Sequence, residues 1–189
     1  MAGSRLRAVL LGPPGCGKGT QAERLSGELR VPAISTGELL RQAVADGTEL
    51  GRRVGEVMAS GALVDDALMA EVVEERLSRP DAVTGFLLDG FTRTLEQAST
   101  LDELLERRGE SLDAVVLFDV PERVLIERAL ARKRADDQEE VIRERLRVYR
   151  EATEPLVGHY RARGILHQVD GDRPVAAVTG AVLAALGRA

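Results

Sequence analysis

The chain's densest chemistry lies in one run, Gly12-Pro13-Pro14-Gly15-Cys16-Gly17-Lys18-Gly19-Thr20. Its glycines let the backbone turn tightly and bring several N–H groups toward one point. Lys18 adds a movable cation, and Thr20 a hydroxyl one place later than in the commonest form of this pattern, with Gly19 between them. The apolar run Leu6-Arg7-Ala8-Val9-Leu10-Leu11 ahead of it has the length of a buried strand. Gln21-Ala22-Glu23-Arg24-Leu25 after it has helix-forming composition. A helix N-terminus carries unpaired amides and the positive end of a dipole, so a glycine loop there is a triphosphate-binding loop rather than a turn that happens to hold a lysine.

A second candidate is Asp89, where Gly85-Phe86-Leu87-Leu88 gives way to Gly90. A carboxylate at the carboxyl end of a buried strand, near a phosphate loop, can hold magnesium through its water shell; the plainer reading is a turn aspartate. A third is the arginine set. Arg128 and Arg132 lie four apart on one helical face, Arg134 follows, and Arg143, Arg145, Arg147 and Arg150 stud the next helix. Phosphoryl transfer is served largely by positioning and by stabilising negative charge, which guanidinium groups do two oxygens at a time. Spacing alone leaves open which of these arginines point inward. His159 and His167 form no metal or triad pattern and read as structural.

The elements that must position these groups alternate between short apolar segments and amphipathic stretches, the signature of a parallel sheet covered by helices. Strands are expected at 6–11, 31–35, 85–89, 114–120 and 165–169, about five in all. Helices are expected after each, with a helical excursion between the second and third strands. Asp136 and Asp137 read as a helix cap, and that helix should reach Tyr149 and break near Pro155. Pro174 to Leu186 closes the chain as core cover.

The 189 residues suit a single domain, and 44% hydrophobic with 30% charged residues is ordinary for a globular protein. With 31 acidic against 26 basic residues the net charge is −5, which argues against a nucleic-acid surface. One cysteine excludes an intramolecular disulfide and fits a reducing cytoplasm. No signal-peptide pattern and no apolar run near the roughly 20 residues of a membrane span is visible.

Taken together, the motifs resemble the adenylate kinase family over essentially the whole chain. They are 12–20, Ser35-Thr-Gly-Glu-Leu-Leu-Arg41, Gly61-Ala-Leu-Val64, Asp89-Gly-Phe-Thr-Arg-Thr-Leu-Glu-Gln97, Arg134-Ala-Asp-Asp-Gln138 and Thr153-Glu-Pro155. The resemblance implies a P-loop NTPase-type α/β fold and Mg²⁺-dependent conversion of ATP and AMP into two ADP by a cytoplasmic monomer. On the ATP side it implies Gly15, Cys16, Gly17, Lys18, Gly19 and Thr20 around the phosphates, Arg128 and Arg132 beside them, and the Arg173 carbonyl at the adenine. On the AMP side it implies Thr36, Arg41, Ala62, Leu63, Val64, Gly90, Phe91, Thr92, Arg93 and Gln97, the last reading the adenine edge. Arg134 and Arg145 would converge on the phosphates, and Asp89 would hold the metal through water. The core would comprise 1–34, 65–131 and 137–189, with an AMP-binding flap at 35–64 and a very short lid at 132–136. Pyrimidine-directed relatives and nucleotide-binding regulators are the competing readings; Thr36, Thr94 and Gln97 favour AMP, and the intact Lys18, Asp89 and arginine set favour turnover.

One departure stands out. The family carries proline, often after a cis bond, where this chain has Thr92. A cis bond costs about 2.5–4 kcal/mol before a non-proline residue and about 0.5–1 kcal/mol before proline. The expectation is therefore either a trans Phe91–Thr92 bond in a shifted loop or a strained cis bond. Cys16, in turn, reads as a loop position that needs only a small residue.

Overall fold

The structure, a computed structural model, describes residues 6–132 and 138–188. Arg134 and all of the expected lid except Arg132 therefore lie outside the described residues, as do Asp136 and Asp137.

Five parallel strands, β1 (Leu6–Leu11), β2 (Ala33–Ser35), β3 (Gly85–Asp89), β4 (Ala114–Asp119) and β5 (Leu166–Asp170), form one sheet in the order β2-β3-β1-β4-β5. The inner strands are apolar throughout because both faces are covered. Val9, Leu11, Leu88, Val115 and Leu117 join one core, and the alternate residues Ala8, Leu10, Leu87, Val116 and Phe118 join the other. The two cores thus record the period of two in the strands. The chain leaves β1 toward one edge and β4 toward the other, so a crevice opens beyond their carboxyl ends, where ligands of open α/β sheets bind.

Helices α1 (Lys18–Leu29), α2 (Thr36–Ala45), α3 (Glu49–Ser60), α4 (Asp66–Leu77), α5 (Leu95–Glu106), α6 (Glu122–Arg132), α7 (Glu139–Val148), α8 (Pro155–Ala162) and α9 (Val175–Ala185) flank the sheet. Four of them start on side-chain caps: Ser35, Thr48, Asp65 and Thr94 accept from the amides of Glu38, Gly51, Leu68 and Gln97. The excursion between β2 and β3 is the α2–α3 pair followed by α4. Gly51 lets α2 and α3 touch backbone to backbone, since a Cβ there would collide with the carbonyl of Ala43.

Two local expectations differ. Gln138 occupies the N-cap of α7 and makes no side-chain cap bond. Beyond Val148 the helix does not break; it widens into a π-helical turn, Tyr149–Thr153, and Pro155 then opens α8 in the first-turn position where its missing N–H is harmless. Among the described residues, no helix is long and apolar enough to cross a membrane.

Candidate active site

The loop after β1 is shaped by backbone that only glycine tolerates well. Gly15 has φ +87°, and a Cβ there would lie 2.5 Å from the carbonyl oxygen of Leu125 on α6. Gly17, with φ +98°, caps α1 and supplies no side-chain oxygen, which leaves the first amides of α1 aimed into the crevice. Lys18 Nζ donates to the carbonyls of Gly12 at 2.7 Å and Pro13 at 3.1 Å, so the ammonium curls back over the loop. Cys16 is 2% exposed and packed in the core beneath, with its Sγ 3.5 Å from Lys18 Nζ as a third, sulfur, partner of the ammonium.

One cleft of about 780 Å³ opens above this loop. Among its described lining, six side chains are cationic: Lys18, Arg41, Arg93, Arg128, Arg132 and Arg145. Arg128 donates to the Gly171 carbonyl at 2.9 Å and to Asp172 at 3.2 Å, tying α6 to the segment after β5. Arg41 meets Glu38 at 2.7 Å within α2. Arg145 on α7 reaches the Met58 carbonyl at the end of α3 at 3.4 Å, spanning the cleft mouth. Arg93 donates through Nε to the Gly90 carbonyl at 2.9 Å. Arg93 is exposed to the cleft, yet the surrounding cleft walls lower its pKa from the ordinary value by desolvation; Asp89 opposes this, and the charges of Arg145 and Arg41 add to it. A cation held among cations by a single carboxylate is a favourable place for a multiply charged anion.

The far end of the cleft is built around Gly90. Its φ is +90°, and an added Cβ would lie 2.6 Å from Thr36 Oγ1. Thr36, 1% exposed, directs that hydroxyl to the Asp89 carbonyl at 3.4 Å. The Phe91–Thr92 peptide bond is cis. Thr92 is buried, and its hydroxyl pairs with Tyr160 Oη of α8 at 2.8 Å. The Arg93 carbonyl is held by Thr153 Oγ1 at 2.9 Å, and the Arg93 amide donates to Gln97 Oε1 at 2.8 Å. Gln97 is buried, and its Nε2 donates to Asp66 at 2.6 Å. Gly61, Ala62, Leu63 and Val64 close this end.

A tight glycine cradle over a helix N-terminus thus faces arginines from α2, the approach to α5, α6 and α7, and the chain's sequence also matches a known family. The family model described as adenylate kinase matches residues 10–165. The adenylate kinase of Nocardia farcinica (strain IFM 10152) is 51% identical over 183 residues, covering 97% of this chain and 100% of that protein. Those of Xylella fastidiosa (strain 9a5c) and Corynebacterium urealyticum are each 49% identical, covering 96% of this chain and 100% and 99% of theirs. The chain belongs to the adenylate kinase family.

Most positions expected from the adenylate kinase resemblance come together. Gly15, Gly17, Lys18, Gly19, Thr20, Thr36, Arg41, Ala62, Leu63, Val64, Asp89, Gly90, Thr92, Arg93, Gln97, Arg128, Arg132 and Arg145 all line the one cleft. Three do not: Cys16 and Phe91 are buried in the two cores, and Arg173 is exposed outside the lining. Sequence reasoning gave no site role to Tyr149 or to Thr153, although Thr153 opens one of the family motifs, and both reach the cleft through the π-turn; it also missed Asp66, which accepts from Gln97. Asp66 follows the cap residue Asp65, so from sequence it reads as a helix-start acid.

Proposed function

We propose that the chain transfers a phosphoryl group reversibly between ATP and AMP, giving two ADP, by direct in-line displacement. The observation that carries this reading is that a phosphate loop and a second cationic cluster, Arg41 with Arg93, line one continuous cleft. A donor triphosphate seats in Gly15–Thr20 on the α1 N-terminus, with Lys18 leaving its carbonyl partners for the phosphoryl oxygens. The acceptor phosphate lies on Arg41 and Arg93, and its base enters between Gln97 and the backbone of 61–64. Arg128, Arg132 and Arg145, with Arg134 from outside the described residues, balance the charge that spreads over the transferred group. No side chain needs to act as a strong base, because the attacking phosphate is already an anion.

The donor set fits magnesium of one kind. Among the described residues no group of three or more His, Cys, Asp or Glu side chains could cage a metal. Asp89 alone is a carboxylate at a strand's carboxyl end in the cleft. One carboxylate suits an ion that keeps several waters and takes its other ligands from phosphates, so Asp89 would hold Mg²⁺ through water. The ion supplies neutralisation of phosphate charge, and the residues above supply position.

Helices α2 and α3 move as the acceptor-side flap, joined to the body at the end of β2 and at Gly61, whose φ of +80° ends α3. Closure over the nucleotides keeps water from accepting the phosphoryl group. We place the protein in the cytoplasm as a monomer. A coupled assay of ADP formation from ATP with AMP, CMP, UMP or GMP, with and without Mg²⁺, tests the reading. Mg²⁺-dependent turnover with AMP is expected. ATP binding without turnover on any acceptor would overturn it in favour of a regulator, and preference for a pyrimidine would overturn the acceptor assignment.

A further inference from the structure

We propose that Asp66 is a positioning residue that sets base specificity by locking the orientation of the Gln97 amide. The inference rests on the reading above that Gln97 faces the acceptor base. Gln97 is 2% exposed, and its two ends meet partners of opposite and fixed character. The Arg93 amide can only donate, and it meets Oε1 at 2.8 Å. The Asp66 carboxylate can only accept, and it meets Nε2 at 2.6 Å. A flipped amide would set oxygen against carboxylate and NH₂ against N–H, so one orientation alone satisfies both. Asp66 is itself held, because its other oxygen accepts from Thr94 Oγ1 at 3.0 Å while Thr94 caps α5 by accepting from the Gln97 amide.

This matters because an amide reads bases by the order of its donor and acceptor. Adenine and cytosine present an amino donor beside a ring-nitrogen acceptor, whereas guanine, hypoxanthine and uracil present a carbonyl acceptor beside an N–H donor. A glutamine free to flip could serve either class. A locked glutamine, with one hydrogen of Nε2 and one lone pair of Oε1 left over, offers a single order and leaves a buried polar group unpaired against the wrong class. Asp66 therefore makes the acceptor pocket selective for 6-amino over 6-oxo purines without touching the base.

The test compares kcat/KM for AMP and IMP, which differ only at position 6 and its neighbouring ring nitrogen. Asp66→Leu should lower the AMP:IMP ratio by about tenfold or more, as expected for losing one oriented base contact. Asp66→Asn should restore the ratio to within about twofold, since its oxygen can still face Nε2 while its NH₂ turns to Thr94. Asp65→Ala, which removes the α4 cap, should lower the melting temperature and leave the ratio unchanged. An unchanged ratio in Asp66→Leu overturns the proposal, and so does an equal loss in Asp66→Leu and Asp66→Asn, which would assign the effect to charge. Gln97→Leu separates the two levels. A ratio that falls with Gln97→Leu but not with Asp66→Leu refutes the lock alone, and a ratio that survives Gln97→Leu refutes the acceptor-base reading beneath it.

Discussion

The hydroxyl pair between Thr92 and Tyr160 should be worth more together than apart. Thr92 is 2% exposed and Tyr160 1%, and their oxygens lie 2.8 Å apart. Tyr160→Phe deletes one partner and leaves the Thr92 hydroxyl buried, which costs about 1–3 kcal/mol. Thr92→Val leaves the Tyr160 hydroxyl in the same position and costs a similar amount. The double variant removes both polar groups, so its loss should fall short of the sum by about 1 kcal/mol. For a domain of this size each kcal/mol moves the melting temperature by roughly 2–4 °C, which puts each single variant several degrees below wild type. The other contacts of the ring, edge-to-face with His159 at 5.0 Å and beneath the Arg163 guanidinium at 5.7 Å, do not involve the hydroxyl and survive in Tyr160→Phe. Urea unfolding of the four proteins in one double-mutant cycle measures the coupling. Because Thr92 precedes Arg93, the single variants should also raise KM for AMP more than they change kcat. Additivity of the two single losses to within about 0.3–0.5 kcal/mol would refute the claim that the pair acts as a unit.

Two other outcomes follow from the same geometry. Lys18→Met should lower kcat by about 10²–10³ while moving the melting temperature little, since its bonds are to two backbone carbonyls and, more weakly, the Cys16 sulfur; a fall of less than tenfold would remove it from the reaction. Burial pushes the Tyr160 hydroxyl up to about 12, against the hydrogen bond from Thr92. A pKa raised on folding stabilises below the unfolded value near 10 and is lost as pH rises toward the folded one. Stability should therefore drop across pH 10–12 by on the order of 2–3 kcal/mol more in wild type than in Tyr160→Phe, and parallel pH profiles of the urea midpoint would contradict this.

The frame of this protein is legible in its sequence for a simple reason. Parallel strands covered on both faces are apolar runs of strand length, and 6–11, 85–89 and 114–119 are such runs. The phosphate loop is equally plain, because strand, glycines, lysine and helix are contiguous. What is not legible depends on rotation and on distance along the chain. Arg128, Arg132 and Arg145 face the cleft, while Arg143 and Arg147 pair with Glu139 and Glu144 of α7 and Glu151 of the π-turn, a distinction set by how the helix is rolled against the sheet. Thr92 and Tyr160 are 68 residues apart, and nothing local announces that one hydroxyl answers the other. The π-turn at Tyr149–Thr153 adds a residue to one helical turn and so aims Thr153 at the Arg93 carbonyl, a re-registration that no periodicity in the sequence displays. Cys16 is buried beneath the loop with its sulfur 3.5 Å from Lys18 Nζ, a contact two residues along the chain that the sequence does not display.

The cationic groups of the cleft share a design that bears on how it can close. Lys18 rests on the Gly12 and Pro13 carbonyls, Arg93 on the Gly90 carbonyl, Arg128 on that of Gly171, and Arg145 reaches the Met58 carbonyl. These acceptors are neutral and belong to four separate segments around the rim. Bonds to an ionised phosphate are roughly twice as strong as bonds to neutral acceptors, so a phosphate entering the cleft would outbid each of these carbonyls. Arg128 and Arg41 also hold carboxylates, Asp172 and Glu38, but both pairs sit in partly exposed positions where such bridges contribute little. The Arg145–Met58 contact links α7 to the end of α3, so in the proposed reaction an anion that drew Arg145 inward would act on the helix that leads into 61–64. On the proposed function, charge recognition and closure of the acceptor side would then be a single step, and Arg145→Ala, which removes the link, should uncouple them.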